Sequence, residues 1–184
     1  MYSFSLVKQT TELVQIAALS KENLRNDLSA EEKQSHGFIT WEYTLPLLEE
    51  LHTIAPAVIV KYGDEVVGYA LTAFKEAAAV LPVLHEMIHH LEPLSFKGKP
   101  LSDYRYYLMG QICIAKTHRG KGLFDQLYQF HKEVYGNQYE LLVTEISTSN
   151  YRSLKAHQNT GFQTIHTYQD TMDEWDVVVW DWNK

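Results

Sequence analysis

Gly120 and Gly122 stand between an apolar run and an amphipathic one, a setting in which a protein backbone can grip an anion. Upstream, Gln111-Ile-Cys-Ile-Ala115 alternates as a strand does. Downstream, Leu123, Leu127, Phe130 and Val134 recur at the spacing that lays one stripe of a helix on a core. The order is strand, glycine-rich turn, helix. The glycines let the chain take unusual backbone angles and come close to a ligand. The first turn of the helix then offers unpaired N–H groups and the positive end of its dipole. Such a site takes phosphate, with pyrophosphate the usual occupant; a plain tight turn ahead of a surface helix is the alternative. Two common phosphate loops are excluded. The sequence has no G-x-x-x-x-G-K-[ST] run, and the G-x-G-x-x-G of dinucleotide folds fails at Asp125.

A second pattern competes for attention. His85-Glu86-Met87-Ile88-His89 matches H-E-x-x-H, which on a helix puts both imidazoles on one face with the glutamate as a base beside zinc. The function it would imply is a zinc metalloprotease. The longer form of the motif fails, because Glu92 stands where glycine is required. A solvated helix face opposite Leu84, Ile88 and Leu91 accounts for the same residues, so no metal is expected. Cys113, the single cysteine, lies in the apolar strand. It can form no disulfide within the chain and has no neighbour to activate it as a nucleophile.

These groups need elements to position them. Residues 3 to 8 read as a first strand, and Thr10 or Thr11 caps a helix with Leu13, Ile16, Ala17 and Leu19 on one face. Ser29 and Glu32 match a capping box. His36 to Thr44 is polar and aromatic without a period, and Thr44 caps a helix that tolerates Pro46 in its first turn. Strands over 57–62 and 65–73 meet at the Gly63-Asp64 hairpin. A mostly helical insertion covers about 75–105. Tyr106 to Ala115 is the central strand and residues 122 to 135 form its helix. Leu141 to Ile146 follows as a parallel neighbour. A helix over 150–160 stops at Gly161, and strands over 162–168 and 175–182 close the fold as an antiparallel pair.

The apolar content, 45% of 184 residues, suits one domain spanning 1–184 with a sizeable core. A net charge of −7 argues against a nucleic-acid partner and tolerates a cationic one such as an amine. No segment is long and apolar enough to cross a bilayer and the N-terminus does not read as a secretory signal. A cytoplasmic protein without a membrane partner is expected.

Two stretches resemble the signatures of the GNAT superfamily of N-acyltransferases. Arg119-Gly-Lys-Gly122-Leu-Phe124 is similar to the family's R/Q-x-x-G-x-G/A. Phe124 replaces the final glycine or alanine, so its side chain must point away from the ligand. Residues 145 to 162 resemble the second signature, with Asn150, Ser153, Gly161 and Phe162 in register; Gly68 also fits the family's third strand. The resemblance implies a mixed α/β fold, a mostly antiparallel sheet with a central parallel strand pair flanked by helices. It also implies an N-acetyltransferase that moves an acetyl group from acetyl-CoA to a primary amine by direct attack in a ternary complex.

The same resemblance assigns residues. Ile112, Cys113 and Ile114 would pair with the pantetheine arm of acetyl-CoA through their backbone. Arg119, Gly120, Lys121, Gly122, Leu123 and Phe124 would hold the pyrophosphate, with Asn150 and Ser153 beside the pantetheine. Glu145 stands where some members supply the base, through a water. An ordinary carboxylate is a weak base for an ammonium, so burial or relay water must help. His157 stands where the family usually has a tyrosine acid, and an imidazolium would be the stronger acid. Trp41, Glu42, Tyr43, Tyr104 and Tyr106 are expected to line the acceptor side, between the N-terminal helices and the insertion, although an ordinary aromatic core would use the same residues. The acceptor is expected to be a small-molecule or peptide amine. A non-catalytic acyl-CoA sensor is the alternative function, and pairing of the closing strands is a route to a homodimer.

Overall fold

A computed structural model of the chain describes residues 1–29, 31–33 and 37–183. Period-two and period-3.6 apolar patterns settle into β1 (Tyr2–Leu6), α1 (Thr10–Lys21), α2 (Leu45–Ile54), β2 (Val58–Tyr62), β3 (Glu65–Ala73), α3 (Pro82–Leu91), β4 (Ser95–Phe96), β5 (Lys99–Pro100), β6 (Tyr106–Ile114), α4 (Leu123–Tyr135), β7 (Leu141–Ser147), α5 (Tyr151–Thr160), β8 (Gln163–Gln169) and β9 (Glu174–Asp181). Seven strands form one mixed sheet in the order β1-β2-β3-β6-β7-β9-β8, in which only β6 and β7 run parallel. This is the mixed α/β architecture the sequence implied. None of the described helices is long and apolar enough to cross a membrane.

Alternation along each strand divides the core between the two faces of the sheet. Ile16, Leu48, Tyr69, Leu91, Tyr106 and Val177 pack beneath α1, α2 and α3. Val67, Tyr107, Leu127, Tyr128 and Val178 pack on the other face, beneath α4 and α5. The Gly63-Asp64 hairpin turns with Gly63 at a φ of +65°, and Gly161 ends α5 at +118°, both angles that an L side chain resists. Ser29 and Glu32 form the expected capping box, with bonds of 3.0 and 3.2 Å. His36 lies outside the described residues.

Several expectations change. α1 is capped at Gln9 rather than by a threonine: the Glu12 carboxylate turns back to accept the N–H groups of Lys8 and Gln9, at 2.7 and 3.2 Å. The insertion is not all helix. After α3 it makes a two-residue hairpin, β4 with β5, turned by Lys97 and Gly98 at positive φ. The closing strands do pair antiparallel, but β9 lies between β7 and β8, so β8 is the sheet edge. Local pattern carries no information on that order.

The feature that shapes the site is a defect in β6. Leu71 faces Gln111 and Thr72 faces Met109, which leaves Gly110 as an extra residue, a bulge. A side chain here would meet the Tyr43 hydroxyl at 3.0 Å. β6 pairs with β7 only through Tyr106–Leu108 and Leu141–Val143, and past that point the strands part. The Thr144 hydroxyl donates to the Met109 carbonyl at 3.1 Å and closes the vertex of the gap. A V-shaped cleft opens from it.

Candidate active site

At the open end of β6 the chain turns through a short 3-10 segment into α4. Gly120 and Gly122 take φ of +72° and +73°, and Gly122 is the N-cap residue of α4. A Cβ at Gly120 would touch nothing within 4 Å, so backbone angle alone calls for glycine there. The helix start leaves its first N–H groups without intrahelical partners. They border a cavity of about 260 Å³ that Ile112, Cys113, Ile114, Arg119, Gly120, Gly122, Leu123, Phe124, Asn150 and Ser153 all line. Lys121 does not: its ammonium donates to the Thr117 carbonyl at 3.1 Å on the exposed side of the turn.

Each of these residues has a distinct part. The Ala115 N–H donates to the Val67 carbonyl on β3. Backbone groups alternate in direction along a strand, so those of Ile112 and Ile114 face the cleft. The Arg119 guanidinium folds back to donate to the Ile114 carbonyl at 2.9 Å and to Asn23 at 2.6 Å, bracing the turn against the end of α1. Burial pushes the Cys113 thiol up to about 12, which keeps it protonated. The Phe124 ring lies edge-on to Tyr128 and His157, 5.2 and 5.1 Å between centroids, and walls the cavity from between α4 and α5. Asn150 caps α5 by accepting from the Ser153 N–H, while its amide donates to the Phe38 carbonyl at 2.8 Å.

A second cavity, of about 100 Å³, continues from the first into the V. Phe38, Ile39, Ile112, Asn150 and Ser153 line both. Glu145, on the β7 side, is one of its walls, and Oε1 is buried with no hydrogen-bond partner among the described residues. Burial pushes this carboxyl up to about 7; a hydrogen bond from Tyr168 pulls the other way, and the charge of Asp170 adds to the rise. A carboxylate that titrates near neutrality beside an open cleft is equipped to take a proton.

The match with known proteins follows this geometry. The model of the acetyltransferase (GNAT) family matches residues 13–162. The chain belongs to that family. Membership makes it an acyltransferase enzyme. No curated protein matches it. Among solved structures it is similar to an N-acetyltransferase from Staphylococcus aureus Mu50 (19% identity, 100% of this chain and 99% of that one, TM-score 0.66). It is similar also to a GNAT-family acetyltransferase from Streptococcus agalactiae (15% identity, 100% and 96%, TM-score 0.68). A third is the Salmonella typhimurium protein yncA, solved with its cofactor acetyl-CoA (14% identity, 100% and 95%, TM-score 0.64). At these identities the likeness is one of fold.

Against that GNAT frame, the remaining expected residues separate. His157 is walled in by its partners. The Ser153 carbonyl, 2.8 Å from Nδ1, can only accept, so Nδ1 carries the proton and Nε2 accepts from the Tyr128 hydroxyl at 2.6 Å. Burial pulls the imidazole down to about 4, so it is neutral near pH 7 and its one remaining proton is held by the Ser153 carbonyl. That state does not favour the expected imidazolium acid. Of the expected acceptor residues, Trp41 lines the second cavity and is 46% exposed. Glu42 is exposed and does not line it. Tyr43 is buried, its phenol pushed up to about 12 by burial. Tyr104 donates to the Phe96 carbonyl inside the insertion, and Tyr106 lies beneath the Lys75 ammonium, 4.2 Å from the ring centroid. None of these three lines the second cavity.

Sequence reasoning missed the segment from Gly37 to Thr40, just ahead of the expected Trp41. It crosses the cleft, joined to Leu24 by a parallel bridge through Ile39 and to α5 through Phe38. Gly37, with φ +70° and the Asn150 Oδ1 atom 2.9 Å from where a Cβ would sit, was its one local signal. The H-E-x-x-H residues His85, Glu86 and His89 are exposed on α3 while Leu84 and Leu91 face the core, and Glu92 pairs with Lys75 at 2.9 Å. No group of three or more potential metal ligands occurs among the described residues.

Proposed function

We propose that the chain moves an acetyl group from acetyl-CoA to a primary amine by direct attack in a ternary complex, with Glu145 as the base. One observation carries this reading: a buried carboxylate oxygen without a partner lies on the wall of a cleft that runs on into a glycine-turn cradle. The residues present fit acetyl-CoA. The N–H groups that open α4 suit its pyrophosphate, and the cleft-facing backbone of Ile112 and Ile114 suits an extended arm of amides. When bound, it supplies the electrophilic thioester carbonyl.

Glu145 takes the ammonium proton and frees the nitrogen lone pair. A C–N bond then forms and the C–S bond breaks; the acylated nitrogen, positive after attack, sheds its second proton and the departing thiolate takes one up, giving amide and free thiol. An ordinary carboxylate would face a gap of about six pKa units to an alkylammonium near 10.4, roughly 8 kcal/mol. At about 7 the gap is roughly 3.4 units, or about 5 kcal/mol. Burial therefore supplies about 3 kcal/mol of the driving force. A thiol of ordinary pKa near 8.5 is a good leaving group without an acid at hand, which suits a site whose histidine is neutral. The test is calorimetry with coenzyme A followed by thiol release from acetyl-CoA with a panel of primary amines. Binding with amine-dependent release is expected; no uptake of coenzyme A would remove the reading.

A further inference from the structure

The cleft wall also narrows the acceptor, on the footing of the transferase reading above. We infer that the acceptor is a primary amine with no carboxylate on the carbon that bears the nitrogen, an arylalkyl or alkyl amine and not an α-amino acid. The second cavity has a mixed lining, with Trp41, Met109 and Trp175 beside Gln111, Thr144 and Ser147, and Glu145 is the one formally charged side chain on it among the described residues. An ammonium fits that composition: the Glu145 oxygen offers a charge-matched acceptor, and two indoles offer ring faces to a cation. A carboxylate finds no cation among the described lining groups, only neutral donors such as the Trp175 indole. No lysine or arginine is on this lining. Arg25, behind Phe38 at 4.9 Å from the ring centroid, is already paired with Asp173, and Arg152 lines the other cavity. The other titratable groups acting on Glu145, Tyr168 and Asp170, bring no positive charge.

An α-carboxylate brought in with its nitrogen would sit about 5 Å from the Glu145 carboxylate. At an effective dielectric of about 20, repulsion between two such charges amounts to about two orders of magnitude in binding.

Matched pairs decide the matter: tryptamine against tryptophan, tyramine against tyrosine and phenethylamine against phenylalanine, each with acetyl-CoA and thiol-release detection. The decarboxylated member is expected to show kcat/KM about 100-fold higher in at least one pair, and any preference above 10-fold supports the inference. Amino acids used equally well, or within 10-fold, would overturn it while leaving the transferase reading intact. No turnover of any member, with coenzyme A bound by calorimetry, would bring down the transferase reading and this one with it. A Thr40→Arg variant adds a cation to the same lining and should narrow the preference by about 10-fold; an unchanged ratio counts against the charge argument.

Discussion

Glu145→Gln should make this protein more stable and less active, and the two effects should follow pH differently. A carboxyl held at about 7 in the fold and at an ordinary 4.5 in the unfolded chain keeps its proton more tightly when folded. Between those values the native state binds the extra proton, so stability falls as pH rises through the window and then levels off. The full difference is about 2.5 pKa units, or roughly 3 kcal/mol at 1.36 kcal/mol per unit. Gln keeps the shape and removes the charge. Its amide still needs partners, so a net gain of about 2–3 kcal/mol is expected at pH 8, a rise in Tm of about 5–10 °C for a chain of this size. At pH 4.5 and below the two proteins should melt together. Scanning calorimetry at half-unit steps from pH 4 to 8.5 reads this directly. In parallel, kcat should fall by about 10²–10⁴-fold, and the rise of kcat/KM through about pH 7 should vanish with the carboxylate. A Tm difference that stays flat across pH would refute the claim that Glu145 is a desolvated acid. Near-normal turnover in the variant would refute its role as base.

Three further outcomes follow from the geometry. His157→Phe should leave the pH profile of turnover in place and kcat within a few-fold, while lowering stability by about 1–3 kcal/mol as the Tyr128 hydroxyl loses its acceptor; a loss of the basic limb would restore the acid role. Gly37→Ala and Gly122→Ala each force a side chain to positive φ at about 1–2 kcal/mol, and coenzyme A affinity measured by calorimetry should fall in both, the first through Asn150 and the second through the cradle. Gln111→Leu should raise the KM for the amine while leaving that for acetyl-CoA unchanged. Gln111 donates to the Trp41 carbonyl at 2.8 Å and accepts from Tyr69 and from Ser20, so it ties the crossing segment to β6; equal rises in both KM values would reduce it to a packing role.

Much of this protein is written in local sequence. The glycine turn, the amphipathic helix behind it and the helix stop at Gly161 are consequences of backbone sterics and of period, so they are legible from a few neighbouring residues. The mixed sheet with one parallel pair followed from the same patterns together with the family resemblance. Other facts exist only once distant segments meet. The bulge at Gly110 depends on the register of β3 against β6, and it falls where β6 and β7 stop pairing. β9 slips between β7 and β8 because pairing energy, not chain order, selects a strand's neighbours. The neutral state of His157 and the raised pKa of Glu145 come from burial, a property of the packed molecule that no residue carries by itself. Residue types and spacing named the groups able to do chemistry; desolvation and hydrogen-bond partners, set by tertiary contacts, decided which of them hold a proton near neutrality and which do not.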